Sequence, residues 1–221
     1  VVDVAMSDSV LAEVRAAIEA RVTGPVSVHG VRCDISNAKD CDDLVSEVVT
    51  LHGTIDCLVN SAGIVRSQPI LEISEKELDL MFDINLKGAF FLCQSVLKIF
   101  SENRSGTIVN VASLAAQRGG GLVGGAHYAA SKGGMLSLTK SIAREFGALG
   151  IRANAICPAM IDTPMLDGLS EERLRGIIDA IPLKRTGTTR EMAGACLFLA
   201  SALSGFVTGA TIDVNGGTHI H

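Results

Sequence analysis

Tyr128 and Lys132 stand four residues apart in Tyr128-Ala129-Ala130-Ser131-Lys132. On a helix that spacing puts a phenol and an ammonium on one face, one turn from each other. A free tyrosine titrates near pH 10, too high for an easy general base at neutral pH. A fixed cation nearby favours the phenolate, so the pair can serve as an acid/base unit for a hydroxyl proton. The same spacing also describes a surface tyrosine and a surface lysine on an exposed helix. Tyr128 is nevertheless the only tyrosine of the chain and opens its helical stretch directly after a glycine-rich loop. Ser113, two residues beyond the apolar run 107–111, carries a hydroxyl that can donate to a substrate oxygen and accept from another group. Spacing alone does not link it to Tyr128.

The elements that must position these groups alternate along the chain. Residues 1–4 read as the tail of a strand and 9–20 as a helix. Residues 26–31 alternate like a strand, and 37–51 place Leu44, Val45, Val48, Val49 and Leu51 at helical spacing. A short apolar run follows at 55–59. Ser74 and Glu77 form a capping-box pattern that starts a helix running towards Ile99. After the run at 107–111 come a helix at 128–149, a strand at 152–156 and a short helix at 170–180. Thr188 and Glu191 repeat the capping pattern ahead of a helix to about 202, and 211–214 is a last strand. Strands alternating with helices imply an α/β fold, a doubly wound parallel sheet covered on both faces in three layers. Ligands of such sheets bind beyond the carboxyl ends of the strands, which singles out Asp3, Asp34, Asn60, Ser113 and the residues after Pro158.

Composition narrows the function classes. The 221 residues suit one domain, and 48% of them are apolar, enough for a large core. The net charge of −5 comes with no basic stripe, which argues against nucleic acid. The six cysteines are scattered without a C-x-x-C pair, and no His/Asp/Glu cluster has ligand spacing; His219 and His221 sit at the extreme C-terminus. We expect reduced thiols, no metal and a cytoplasmic setting. The first residues carry no secretory signal pattern. The uncharged run 192–212 is long enough to span a bilayer, but Ser201, Ser204, Gly205, Thr208 and Gly209 divide it into a helix and a strand, so no membrane span is expected.

Taken together, several segments resemble the short-chain dehydrogenase/reductase family, in order and over nearly the whole chain. Asn60-Ser61-Ala62-Gly63 resembles its N-N-A-G motif, Asn85-Leu86-Lys87-Gly88 its N-x-x-G segment, and Val109-Asn110-Val111-Ala112-Ser113 the strand that delivers a serine. Tyr128 to Lys132 resembles Y-x-x-x-K, and Pro158 to Thr163 the P-G-x-x-x-T turn, with Ala159 in place of glycine. Val207-Thr208-Gly209 and Asp213 to Gly217 resemble the closing strand. The resemblance implies a Rossmann-like fold and hydride transfer between a nicotinamide and a secondary alcohol or ketone. Within the family the chain is most similar to 3-oxoacyl-carrier-protein reductases and sugar or polyol dehydrogenases. It implies Tyr128 as acid/base, with Lys132 lowering its pKa and holding the nicotinamide ribose. It places Ser113 on the reacting oxygen and Asn85 in a proton path through water. Asn60, Ala62 and Gly63 would line the adenosine and ribose region, Asp34 would contact the adenine, and Ile161 and Thr163, on the turn opened by Pro158, the carboxamide. Asp3, at a strand end, can bond a ribose 2′-hydroxyl and would repel a 2′-phosphate, which favours NAD and leaves NADP open. The implied partners are a small alcohol or ketone and three further copies, as a homotetramer. A catalytically silent scaffold or dinucleotide sensor is the alternative.

Two departures stand out. The family's first strand and its T-G-x-x-x-G-x-G turn have no counterpart, so we expect residues 1–221 to form a single, N-terminally incomplete domain. Gly119 to Gly124 fits G-x-G-x-x-G but lies several residues beyond its strand, and Glu145, the acid at the required distance, falls within a helix. We read this stretch instead as the loop between Ser113 and Tyr128, either shaping the substrate pocket or running as a slack surface loop, with substrate identity carried mainly by Gln117, this loop and residues 165–181.

Overall fold

The computed structural model describes residues 1–120, 123–163 and 170–220. Its elements are β1 (Val2–Asp3), α1 (Asp8–Glu19), β2 (Val31–Arg32), α2 (Ala38–His52), β3 (Cys57–Asn60), α3 (Glu75–Phe82), α4 (Ala89–Asn103), β4 (Gly106–Val111), α5 (Ala115–Arg118), α6 (Ala126–Phe146), β5 (Ile151–Pro158), α7 (Glu171–Ala180), α8 (Thr189–Ala200) and β6 (Thr211–Val214). Strands β3-β4-β5-β6 form one parallel sheet in that order, and β1 pairs with β2, also parallel, in a second. The fold is therefore the α/β, Rossmann-like arrangement that the strand–helix alternation implies.

The period-2 pattern of β4 explains its layers. Ile108 packs with Val96, Phe100 and Ile142, residues of α4 and α6. Its neighbour Val109 points to the other face, against Leu199 of α8. A central strand apolar on both sides has to be covered on both sides. The capping signals act locally. Thr188 and Glu191 make the full reciprocal box ahead of α8. At α3 only half of it forms, the Ser74 hydroxyl accepting from the Glu77 N–H.

Two expectations need correction. The alternating stretch 26–31 contributes only Val31 to a strand, β2, whose register partner β1 offers just Val2 and Asp3. The long helix predicted from Ser74 is not uniform: between α3 and α4 a π-helical turn, Asp83–Gly88, carries Asn85. Such single-turn bulges cluster at functional sites. The continuous helical stretch Glu75–Asn103 is long and apolar enough by composition to cross a membrane, but half of its most apolar window is buried inside the protein. The run 192–212 divides into α8 and β6 as expected.

Candidate active site

The site forms at the carboxyl ends of β3, β4 and β5. Beyond β4 the chain stays hydrogen-bonded to its neighbour, Ala112 N–H to the Ile156 carbonyl (2.9 Å) and Leu114 N–H to the Pro158 carbonyl (2.9 Å). This fixes Ser113 between them, and its hydroxyl accepts from the Ala115 N–H at 3.1 Å. Helix α6 then brings Tyr128 and Lys132 to the same place on one face. Gly125, its N-cap, has no room for a side chain: a β-carbon would lie 2.9 Å from the Gln68 carbonyl oxygen.

Lys132 is 4% exposed and its Nζ donates to the Val111 carbonyl at 2.9 Å. Burial pulls its ammonium down to about 8. Burial also pushes the Tyr128 phenol up from its ordinary value, and the Ser113 hydroxyl, bonding the phenol, works against that rise. Ser113 thus eases ionisation of Tyr128.

Asn85 is fully buried. Its Oδ1 accepts from the Ile64 N–H at 2.8 Å and its Nδ2 donates to the Ile64 carbonyl at 2.9 Å. The same Nδ2 lies 3.2 Å from the Ser131 hydroxyl, which itself donates to the Tyr128 carbonyl at 2.8 Å. Asn85 therefore ties the loop after β3 to the helix that carries the tyrosine.

Ser113, Tyr128 and Lys132 line one cleft of about 860 Å³, and Gly63, Pro158, Ile161 and Thr163 lie on its wall with them. The turn from Pro158 to Thr163 is held by an isolated bridge between Ile161 and Gly187. The remaining cofactor candidates lie off this wall. Asp3 is exposed at the end of β1 and accepts from the Ala5 N–H at 2.8 Å. Asp34, exposed after β2, accepts from the Ser36 N–H (3.0 Å) and hydroxyl (2.7 Å). Ala62 is exposed beside Gly63. Asn60 is buried and directs its amide to Asn110 Oδ1 at 2.8 Å, cross-linking β3 to β4. Gln117 is also off the wall, its amide donating to Asp213 Oδ1 at 2.8 Å; its neighbour Arg118 is on it. Of the segment expected to shape the pocket, Ile177, Ala180 and Ile181 line the cleft, while 165–169 lie outside the described residues. In the glycine loop Gly120 and Val123 line it, and 121–122 lie outside the described residues.

Sequence reasoning singled out neither Ser131 nor Arg118, and gave Gly124 only as part of the glycine loop. Ser131 stands inside the Tyr128–Lys132 segment, one turn beyond Tyr128, which places it against the same neighbours. The other two sit in the glycine loop and beside it, where spacing gives no orientation.

Tyr128, a buried Lys132 and Ser113 thus stand together at the carboxyl edge of a parallel sheet, and comparison with known proteins shows the family. Residues 2–219 match the family model described as enoyl-(acyl carrier protein) reductase. The chain belongs to the short-chain dehydrogenase/reductase family. An uncharacterized short-chain type dehydrogenase/reductase, y4mP, of Sinorhizobium fredii is 42% identical over 193 residues, 87% of this chain and 76% of that protein. The 3-oxoacyl-(acyl-carrier-protein) reductase FabG of Staphylococcus aureus is 36% identical over 195 residues (88% and 78%), and that of Chlamydia pneumoniae 37% over 190 (86% and 76%). This short-chain dehydrogenase/reductase is an NAD(P)-dependent oxidoreductase acting on CH–OH or keto groups.

The residues present fit a nicotinamide. An ammonium has three protons to donate, and the buried Lys132 spends one on Val111. Beside it Gly63 leaves an opening that a β-carbon would fill, 3.0 Å from Asn85 Oδ1 and 3.2 Å from Lys132 Nζ.

Proposed function

We propose that the chain reversibly reduces a 3-oxoacyl-type ketone to the secondary alcohol, with Tyr128, Ser113, Lys132 and Asn85 as its working residues. The observation that carries this is the joint placement of the Ser113 hydroxyl, the Tyr128 phenol and the buried Lys132 on one largely apolar cleft. The nicotinamide, when bound, supplies or accepts the hydride at the substrate carbon. Ser113 orients the reacting oxygen by a hydrogen bond. Tyr128, a phenol that burial keeps protonated at neutral pH, delivers the proton to that oxygen as the carbonyl is reduced and takes it back in the reverse direction. Lys132 holds the ribose with the donors left after Val111 and stabilises the phenolate that forms. Asn85 fixes the Ile64 backbone and the helix of Tyr128, and so supports the path by which the phenolate regains a proton. An apolar wall favours an acyl chain over a polyol.

For the cofactor, Asp3, Asp34, Asn60, Ala62 and Gly63 are proposed for the adenosine side, and Pro158, Ile161 and Thr163 for the carboxamide. We propose NAD on the strength of the Asp3 carboxylate at the end of β1. One observation favours a second reading, NADP: Arg32 is the register partner of Asp3, and its Nε donates to the Val4 carbonyl at 3.0 Å, so a guanidinium stands beside the site of a 2′-phosphate. We further propose a single doubly wound domain over 1–221. A cytoplasmic homotetramer completes the reading, supported by free thiols and by the exposed Leu197, Leu203 and Phe206 near the C-terminus.

The test is reduction of 3-oxoacyl thioesters with NADH and NADPH, with polyols and 3-hydroxyacyl thioesters in the reverse direction, on the protein and on Tyr128→Phe. Turnover lost in the variant supports the proposal. A protein that binds dinucleotide but turns over none of these substrates is the silent sensor instead.

A further inference from the structure

The cleft wall carries a charge pattern that hydride transfer does not use. Leu114, Val123, Met160, Ile177, Ile181 and Met192 make it apolar, and among the described residues no aspartate or glutamate stands on it. Two cations do, Lys132 and Arg118. Lys132 is buried and bonded to the Val111 carbonyl. Arg118 is exposed at the end of α5, and among the described residues its guanidinium has no hydrogen-bond or ion-pair partner.

It stands on the cleft wall. On a helix, adjacent side chains point about 100° apart. Gln117 is tied to Asp213 of β6 and stands off the wall, Arg118 stands on it, and Gly119 ends the helix with φ +81° and its N–H on the Ala115 carbonyl. Helix α5 follows Ser113 directly, so the same short segment delivers the serine of the reacting oxygen and a cation at the mouth.

We infer that Arg118 is a specificity-determining residue, which receives an anionic group, a carboxylate or a phosphate, borne by the substrate on an otherwise apolar body. The inference rests on the hydride-transfer reading above and names its substrate class more closely. A guanidinium matches the oxygens of a carboxylate or phosphate with two parallel N–H donors. A neutral sugar or polyol finds no such partner here, and an apolar wall gives its hydroxyls little to bond. The anion has two sources: the carboxylate of a free 3-oxo or 3-hydroxy acid, or the phosphate of a thioester carrier arm.

The experiment compares the protein with Arg118→Gln and Arg118→Lys on three probes: 3-hydroxybutyrate, its methyl ester and its coenzyme A thioester. Acetoacetate binding is measured alongside by calorimetry, which needs no turnover. The expected result is a KM higher by about 10- to 100-fold in Arg118→Gln for one of the two anionic probes, with kcat little changed. Arg118→Lys recovers part of the loss, and the ester does not distinguish the proteins. Whichever anionic probe responds identifies the source. Equal losses on the ester and both anions, or no loss on any, overturn the inference while leaving the oxidoreductase reading intact. Arg118-dependent acetoacetate binding without turnover of any probe sustains Arg118 and overturns that reading instead. Neither binding nor turnover overturns both.

Discussion

Gly124 leaves the space that the ring of Tyr128 occupies: a β-carbon there would overlap Cδ1 and lie 3.0 Å from Cγ. Its φ of +94° is, besides, a conformation that side chains disfavour. Gly124→Ala is therefore expected to displace the phenol. A shift of about 1 Å at a reacting group can cost on the order of 100-fold in rate, and steady-state kinetics should show a kcat loss of that order with the helical circular dichroism retained. Gly133→Ala is the control. Its β-carbon would meet only the Ala116 carbonyl, at 3.9 Å, so it should keep activity and gain about 0.5–1 kcal/mol from helix propensity. Equal activity in the two variants would refute the steric coupling.

How far the sequence carries the reader can be traced on these same residues. The i, i+4 spacing places Tyr128 and Lys132 on one face, and the order of apolar runs places Ser113 at a strand end, because both follow from backbone periods of 3.6 and 2. What periodicity cannot supply is orientation after a turn. Gln117 and Arg118 are neighbours on the short helix α5, and the structure puts Arg118 on the cleft wall while Gln117 bonds Asp213, 96 positions along the chain. Asn60 opens a motif that resembles a cofactor contact, and its amide also donates to Asn110 across the sheet, a bond the motif does not announce. The π-turn around Asn85 was equally hidden, since one extra residue in a helical turn leaves the hydropathy pattern almost unchanged. The short pairing of 26–31 shows that an alternating pattern needs a partner strand of equal length.

Lys132 carries a pH prediction. An unfolded lysine holds its proton up to about 10.5, whereas burial lowers this one to about 8. Between those values the unfolded chain binds more protons, so the site's contribution to stability rises with pH there. Below pH 8 its burial cost is fully present. Lys132→Met lacks that cost, though it strands the Val111 carbonyl at a constant penalty of about 1–3 kcal/mol. The stability of the variant relative to the native protein should therefore fall by up to about 3 kcal/mol as pH climbs from 8 to 10.5. Urea denaturation at intervals across that range measures it, and a difference that does not vary with pH would contradict the buried-charge account.

Ser113 acts on the other member of the pair. Its hydrogen bond favours the Tyr128 phenolate against the effect of burial. Ser113→Ala removes that support, so the phenol pKa rises further. In alcohol oxidation, which needs the phenolate, the rate should begin its alkaline climb at higher pH than in the native protein. The variant should also lose about 100- to 1,000-fold in kcat, the usual cost of a donor to the reacting oxygen. A pH–rate profile of unchanged shape, merely scaled down, would assign Ser113 to substrate orientation alone.

Asn85 answers to stability as well as rate. It satisfies both the N–H and the carbonyl of Ile64 from a position with no solvent access. Asn85→Ala leaves two partly buried backbone groups without partners at about 1–3 kcal/mol each. In a chain of this size each kcal/mol moves Tm by about 2–4 °C, so a fall of roughly 4–24 °C is expected. Ser131→Ala removes only the far end of the same network, and the Tyr128 carbonyl it served belongs to a helix that still bonds it. That variant should lose about 1 kcal/mol at most. If Asn85 served only as a conduit for protons, the two variants would melt alike and differ in turnover alone. A much lower Tm for Asn85→Ala means that the loop after β3, with the Gly63 opening beside Lys132, is held in place from the π-turn, and that this turn is kept in a long helix because the loop depends on it.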